Sequence, residues 1–338
     1  MKLFTFLAAC SVVPVAVCAQ TGPEIIAQTV AGHILPRFEA LEQSAAELAL
    51  AAQQDCTASS EPLRAAYGQA FDAWIAASHL RFGPTEVDDR AFALAFWPDS
   101  RGVTPRSLAG LIADQDDVVA SAESYAQVSI AARGFYALEF LLFDAALMTQ
   151  GDTTYHCTLV QTVTADIAAT STAISQDWQV SYAPQLLDFA AYDTYRSEEE
   201  VLQELFKALN TGLEFTAETR LGRPLGTYDR PRPKRAENWR SGRSSHNIAL
   251  SLEALGDLAA QLAVNDPDLA ARLAKAVAKA QSQLADFADP AFASITDPQR
   301  RFKLEVIQQS VTAIRDLTRA ELGPTLGVAA GFNALDGD

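Results

Sequence analysis

Histidine is scarce in this chain: four in 338 residues, at His33, His79, His156 and His246, with no two lying three or four positions apart. That spacing excludes a two-histidine metal site on one helix. With no His-Glu-x-x-His either, the common zinc-protease chemistry is not written here. Walker, Gly-x-Ser-x-Gly and Gly-x-Gly-x-x-Gly signatures are also missing, which excludes those phosphate loops and makes a Ser-His-Asp triad a poor reading. Basic residues are outnumbered, 26 against 42 acidic, for a net charge of −16. This balance disfavours nucleic acid and anionic membrane as general partners and leaves a cationic ligand compatible.

Cysteine is as rare, with four in all. Cys10 and Cys18 fall within an amino-terminal stretch that reads as an export signal: Lys2, an apolar run from Leu3 to Val17, then Val17-Cys18-Ala19 with small residues at the cleavage positions. Residues 1–19 are therefore expected to be removed and the mature chain to be periplasmic. Leu7-Ala8-Ala9-Cys10 offers a lipoprotein alternative, weaker because its apolar run is short. Past the leader, no stretch reaches about 18 apolar residues without charge, so the mature chain holds no candidate membrane span. Cleavage leaves Cys56 and Cys157, which an oxidising compartment would join. Closing a loop of that length is worth up to about 4–5 kcal/mol in the chain-entropy model. Two buried thiols are the alternative, and the absence of Cys-x-x-Cys argues against a redox-active pair.

What is present is helical. Apolar residues recur at three and four positions, no convincing strand alternation occurs, and Ala, Leu, Glu and Gln are abundant. Helical patterns cover 24–52 (with Pro36 expected to kink or split it), 60–80, 106–114, 119–149, 153–182, 197–221, 244–264, 267–288 and 298–321. Residues 81–105, broken by Gly83-Pro84, Trp97-Pro98 and Pro105, read as loops. The expected fold is all-α, two antiparallel helical bundles. The first would span 20–190 and the second 191–338, including a basic loop over 220–243. That loop carries eight basic residues against Asp229 and Glu237. Its guanidiniums are expected to clamp carboxylates of the bundles, and anion or partner docking is the alternative.

The stretch Arg133 to Phe143 carries the strongest chemical signal. Tyr136 and Glu139 are three apart on one helix face, with Arg133 a turn earlier, inside the apolar run Phe135, Leu138, Phe140, Leu141, Leu142 and Phe143. A buried carboxylate needs a partner: a metal ion, an arginine (Arg133 or one from 220–243), or a pKa raised enough to keep it neutral. Glu237 is expected to join Glu139 near the domain boundary, and His246 to sit in the first turn of a helix beside the basic loop. Glu214 and Glu218 read as solvated acids, and His33 and His156 as structural.

These residues resemble the imelysin-like family, exported bacterial proteins associated with iron uptake and once grouped as peptidases. Gly134-Phe135-Tyr136-Ala137-Leu138-Glu139 matches the family's Gly-x-His-x-x-Glu motif with Tyr at the His position. Arg81-Phe82-Gly83-Pro84, Phe96-Trp97-Pro98-Asp99, Arg220-Leu221-Gly222, Glu237-Asn238-Trp239-Arg240-Ser241 and the ending from Leu326 to Asp338 are similar too, in the same order. The resemblance implies two helical domains, a site at their interface and a role in periplasmic iron acquisition. Candidate ligand-binding residues are then Arg133, Tyr136, Glu139, Glu237, Arg240, Ser241 and His246, with Glu139 and Tyr136 as candidate metal ligands. Phenol must lose its proton to ligate, which Fe³⁺ drives and Fe²⁺ or Zn²⁺ does poorly. Tyr136 therefore reads first as a hydrogen-bond partner that orients Glu139, second as part of a site for an organic ligand or ferric chelate, and third as a direct Fe³⁺ ligand. The leading expectation is a non-catalytic binding protein whose cargo is iron or a small anionic chelate. A metallopeptidase-like enzyme and a protein that docks onto a membrane transport component are the alternatives.

Overall fold

The computed structural model describes residues 19–328, so all but Ala19 of the leader read over 1–19, with Cys10 and Cys18, and the ending past Val328 lie outside the described residues. Every regular element among the described residues is helical, apart from an isolated bridge between Thr227 and Arg230. No described helix is long and apolar enough to cross a membrane. The long helices are α1 (Gly22–Thr29), α2 (Leu35–Gln54), α3 (Glu61–Ala77), α4 (Val103–Asp114), α5 (Gly134–Phe143), α6 (Thr153–Asp177), α7 (Glu198–Glu214), α8 (Ser244–Leu262), α9 (Pro267–Phe287) and α10 (Pro298–Leu317).

Local chemistry sets most of these boundaries. Asp152 accepts from the amides of Thr154 and Tyr155 to open α6, and Asp266 and Asp297 do the same for α9 and α10. Pro36 splits its segment as expected, because α1 and α2 are separated by a wide π-helical turn, Val30–Ile34. The turn leaves Pro36 in the first turn of α2, where its missing N–H costs little. The continuous helix expected over 119–149 is not formed. Ser121 caps a single short turn, Arg133 is extended, and Asp144 accepts from the amides of Ala146 and Leu147, so only α5 is a full helix there.

Packing separates two groups of helices. α2 lies against α3 and α6, with α5 on α6; α9 lies against both α8 and α10, and α7 contacts α8 and α10. α3 packs on α8 and joins the groups, while α1 leaves its continuation α2 to pack on α7 and α8. The π turn therefore marks where one helical rod passes from one group to the other. Cys56, just beyond α2, is bonded to Cys157 in α6 and closes the far end of the first group.

Candidate functional site

Gly134 opens α5 with φ +73°, a left-handed conformation that glycine adopts without steric cost. A β-carbon there would collide with the carbonyl oxygens of Ala93 and Leu94, so α5 starts in direct backbone contact with the preceding irregular segment. Arg133 is extended, with φ −103° and ψ 163°. Its side chain therefore leaves the face shared by Tyr136 and Glu139 and grips Asp166 of α6, Nε to Oδ2 at 2.9 Å and Nη2 to Oδ1 at 2.7 Å. The expectation that Arg133 would serve the site is corrected: it anchors the start of α5.

Tyr136 and Glu139 do share a buried face, but they have different partners. The Tyr136 hydroxyl donates to Glu237 Oε1 at 2.6 Å. Glu237 Oε2 accepts from Arg220 Nε at 2.9 Å and from Asn247 Nδ2 at 3.0 Å. Arg220 in turn donates to Ser251 and Ser78, and its guanidinium lies over Phe215. It sits in a π-helical turn, Phe215–Leu221, that extends α7. Arg220 and Glu237 are only 4% and 2% exposed, so this ion pair lies in the interior. Burial first, and then the Glu237 charge, hold the Tyr136 phenol well above its usual range, so it remains a hydrogen-bond donor. Glu237 thus reaches Tyr136 rather than Glu139, and Arg220 is a residue that sequence spacing did not single out.

Glu139, 2% exposed, accepts through Oε1 from the Ser241 amide at 3.0 Å and its hydroxyl at 2.8 Å. The donors are presented by a turn in which Asn238 (φ +50°) and Gly242 (φ +69°) take left-handed conformations. Asn238 also donates to Tyr67 and accepts from Asn247, which fixes that turn to α3 and α8. Burial pushes the Glu139 carboxyl upward, opposed by the Ser241 donors and by the Arg240 charge. Arg240 itself pairs with Asp144 at 2.8 Å and lies over the rings of Phe140 and Trp239.

These side chains border a cavity of about 170 Å³. Tyr136, Glu139 and Phe140 line one side, Trp97, Asp99 and Thr104 a second, and Arg223, Lys234, Arg235, Trp239 and Arg240 the third. The irregular 96–102 segment and the first turn of α4, read from sequence as a loop and as part of the family resemblance, supply the second wall. Not every guanidinium of the 220–243 segment reaches the cavity. Arg243 pairs with Asp72 of α3, and the exposed His246 ring lies 3.0 Å from the same carboxylate. His246 does sit in the first turn of α8, but its ring faces outward, so its placement at the site is corrected as well. Among the described residues, no three His, Cys, Asp or Glu side chains converge to hold a metal ion.

A second polar cluster lies away from the cavity. The buried rings of His33 and His79 meet Nε2 to Nε2 at 2.8 Å, and His33 Nδ1 lies 2.8 Å from Asp257, which also pairs with Arg37. One proton satisfies the Nε2 pair, and a second would force two N–H groups together. Burial lowers both imidazoles, His79 strongly, with His33, Arg37 and Arg220 as further unfavourable charges around it. The hydrogen bond from His33 helps hold Asp257 at about 2. Both histidines thus bind protons more readily unfolded, so their contribution is present above the ordinary histidine pKa near 6.5 and is lost as pH falls below it. Chemical denaturation between pH 7.5 and 5 should show stability dropping by up to about 1.4 kcal/mol per pH unit per proton. His79→Gln should flatten that slope whatever its cost at pH 7.5; an unchanged slope would remove the pair as its source.

The imelysin family model matches residues 34–319. Iron-regulated protein A of Synechococcus elongatus is 25% identical over 340 residues, covering 91% of this chain and 88% of that protein. An imelysin-like protein from Psychrobacter arcticum 273-4 has a similar solved structure, with TM-score 0.78 and 23% identity over 95% of this chain and 100% of that one. A structure from Parabacteroides distasonis ATCC 8503 has TM-score 0.72 at 13% identity, covering 91% of this chain and 97% of that one. At such identities the two structures speak to the fold.

Proposed function

Because the chain belongs to the imelysin family, we propose that it is an exported, periplasmic binding protein of iron acquisition. Its cargo is iron carried as a small anionic chelate, held in the cavity between α5 and the 220–243 segment without chemical conversion. Export is supported by the leader pattern of residues 1–19 and by the Cys56–Cys157 disulfide, which persists in an oxidising compartment. The link to iron is supported by the relative named iron-regulated protein A.

The observation that carries the chelate reading is the make-up of the cavity: one buried acid, two tryptophans and a surplus of cations. Glu139 is held by Ser241, and the Tyr136 hydroxyl donates its hydrogen bond to Glu237 rather than into open space. Direct Fe³⁺ ligation by Tyr136 and Glu139 would have to break both arrangements and ionise a phenol whose burial opposes it. A ferric ion whose coordination is filled by an organic anion needs neither. Under this reading Glu139 is a polar contact for the chelate, and Tyr136 stiffens the wall behind it.

Calorimetric titration of the mature protein tests this. Ferric citrate should give a saturable heat, while Fe²⁺ and Zn²⁺ should give none. Glu139→Ala should weaken ferric citrate by about tenfold to a hundredfold, the range expected for losing a hydrogen bond to a charged group. No heat from any iron species, with Glu139→Ala altering stability alone, would end the binding reading.

A second reading rests on the turn beyond the cavity. Tyr228 is 73% exposed and Arg230 and Arg232 are exposed beside it, a surface suited to a membrane transport component that receives the cargo. It is compatible with the first reading.

A further inference from the structure

The basic residues of the 220–243 segment, Arg230 and Arg232 aside, differ in whether they reach a carboxylate. Arg220, Arg240 and Arg243 each reach a carboxylate, Glu237, Asp144 and Asp72 in turn. Arg223, Lys234 and Arg235 line the cavity and form no ion pair among those found in the described residues. The carboxylates nearest them in the cavity wall are already engaged. Asp99 accepts from the amides of Arg101 and Thr104, and Glu139 accepts from Ser241. In a chain of net charge −16, the fold has gathered four cations, these three and Arg240, around one hollow against two acids, Asp99 and Glu139, that form no ion pair with them.

These cations are also held in place. Arg223 stands over the Trp97 ring and Lys234 over the Trp239 ring, where the π faces attract them. Lys234 and Arg235 belong to a tight turn, Pro233–Arg235, pinned by the Arg232 amide donating to the Pro224 carbonyl at 2.7 Å. The Arg223 Nε is buried without a hydrogen-bond partner, a cost that proteins seldom leave uncompensated. Burial and the Arg235 charge both disfavour the charged form of Arg223. Gathering like charges is unfavourable until an anion arrives, and forks already in place then bind it with little further ordering.

We propose that Arg223, Lys234 and Arg235 form a receptor subsite for a compact oligo-anion, carrying two or more carboxylates or a phosphate group, that binds with or without a metal ion. The proposal rests on the cavity being the cargo site and adds the chemical class of what is recognised. The charge of the organic part, rather than the metal, would then set the selectivity.

The test is calorimetry of the oxidised mature protein with metal-free citrate, pyrophosphate, acetate, ferric citrate and an uncharged ferric trihydroxamate. Citrate or pyrophosphate should bind without iron, and acetate about a hundredfold more weakly or not at all. Arg223→Ala with Arg235→Ala should weaken the oligo-anion by about tenfold to a hundredfold. Arg235→Ala alone, at an exposed position, should give a smaller loss even if Arg223→Ala disturbs the turn. Arg230→Ala, outside the cavity lining, should leave binding unchanged. If the trihydroxamate binds while neither metal-free oligo-anion does, or if the double variant binds citrate like the native protein, the anion subsite is overturned and the iron reading survives. If metal-free citrate binds and no iron complex does, the subsite stands and the iron reading falls.

Discussion

Glu237→Ala is expected to destabilise the protein by about 3–5 kcal/mol, the cost of removing one member of a buried ion pair. The carboxylate accepts from Tyr136, Arg220 and Asn247 at 2.6, 2.9 and 3.0 Å. Without it, Arg220 keeps only the Ser78 and Ser251 hydroxyls in an interior position, and the Tyr136 donor loses its acceptor. The loss arises chiefly from the stranded guanidinium. Arg220→Met combined with Glu237→Leu should therefore be less damaging than Glu237→Ala, since apolar replacement of both partners removes the uncompensated charge. Urea unfolding reads this as a lower midpoint at unchanged slope. A loss under about 1 kcal/mol, the scale of an exposed pair, would show that the carboxylate is not buried against Arg220.

Cutting the Cys56–Cys157 bridge is the other large effect. The two residues are 101 apart, and freeing a loop of that size should cost about 4–5 kcal/mol in the chain-entropy model. Reduction, or Cys56→Ser with Cys157→Ser, should lower the denaturation midpoint by a corresponding amount. The loss acts through the unfolded chain, so the native spectrum and the cavity's ligand affinity should change little. Identical midpoints with and without reductant would mean that the bond is not made in the isolated protein.

Helical architecture was legible because periodicity is local: the patterns read from 153, 267 and 298 begin as helices at those residues, capped by Asp152, Asp266 and Asp297. Pairing Tyr136 with Glu139 on one face was legible for the same reason. Arg133 was not, because projecting its side chain one turn back assumes helical backbone, and its extended conformation sends it to Asp166 instead. His246 was placed on the right turn of the right helix, but spacing cannot say which way the first residues of α8 face across Asp72. The charge count found the basic segment as a whole. Dividing it into cations paired with acids and cations facing the cavity required knowing where Asp72, Asp144 and Glu237 lie in space. His33 and His79, 46 positions apart, meet only through packing.

The contact that opens α5 bears on how variants of this protein would be read. Any side chain at position 134 must push the helix off the Ala93 and Leu94 carbonyls and tilt everything it carries. Tyr136 and Glu139 ride on its first two turns, so a residue with no functional group of its own would score in a mutational scan as if it lined the cavity. Soaking such a variant with excess ligand would expose the difference, because the missing quantity would be a helix's starting point and not a bond.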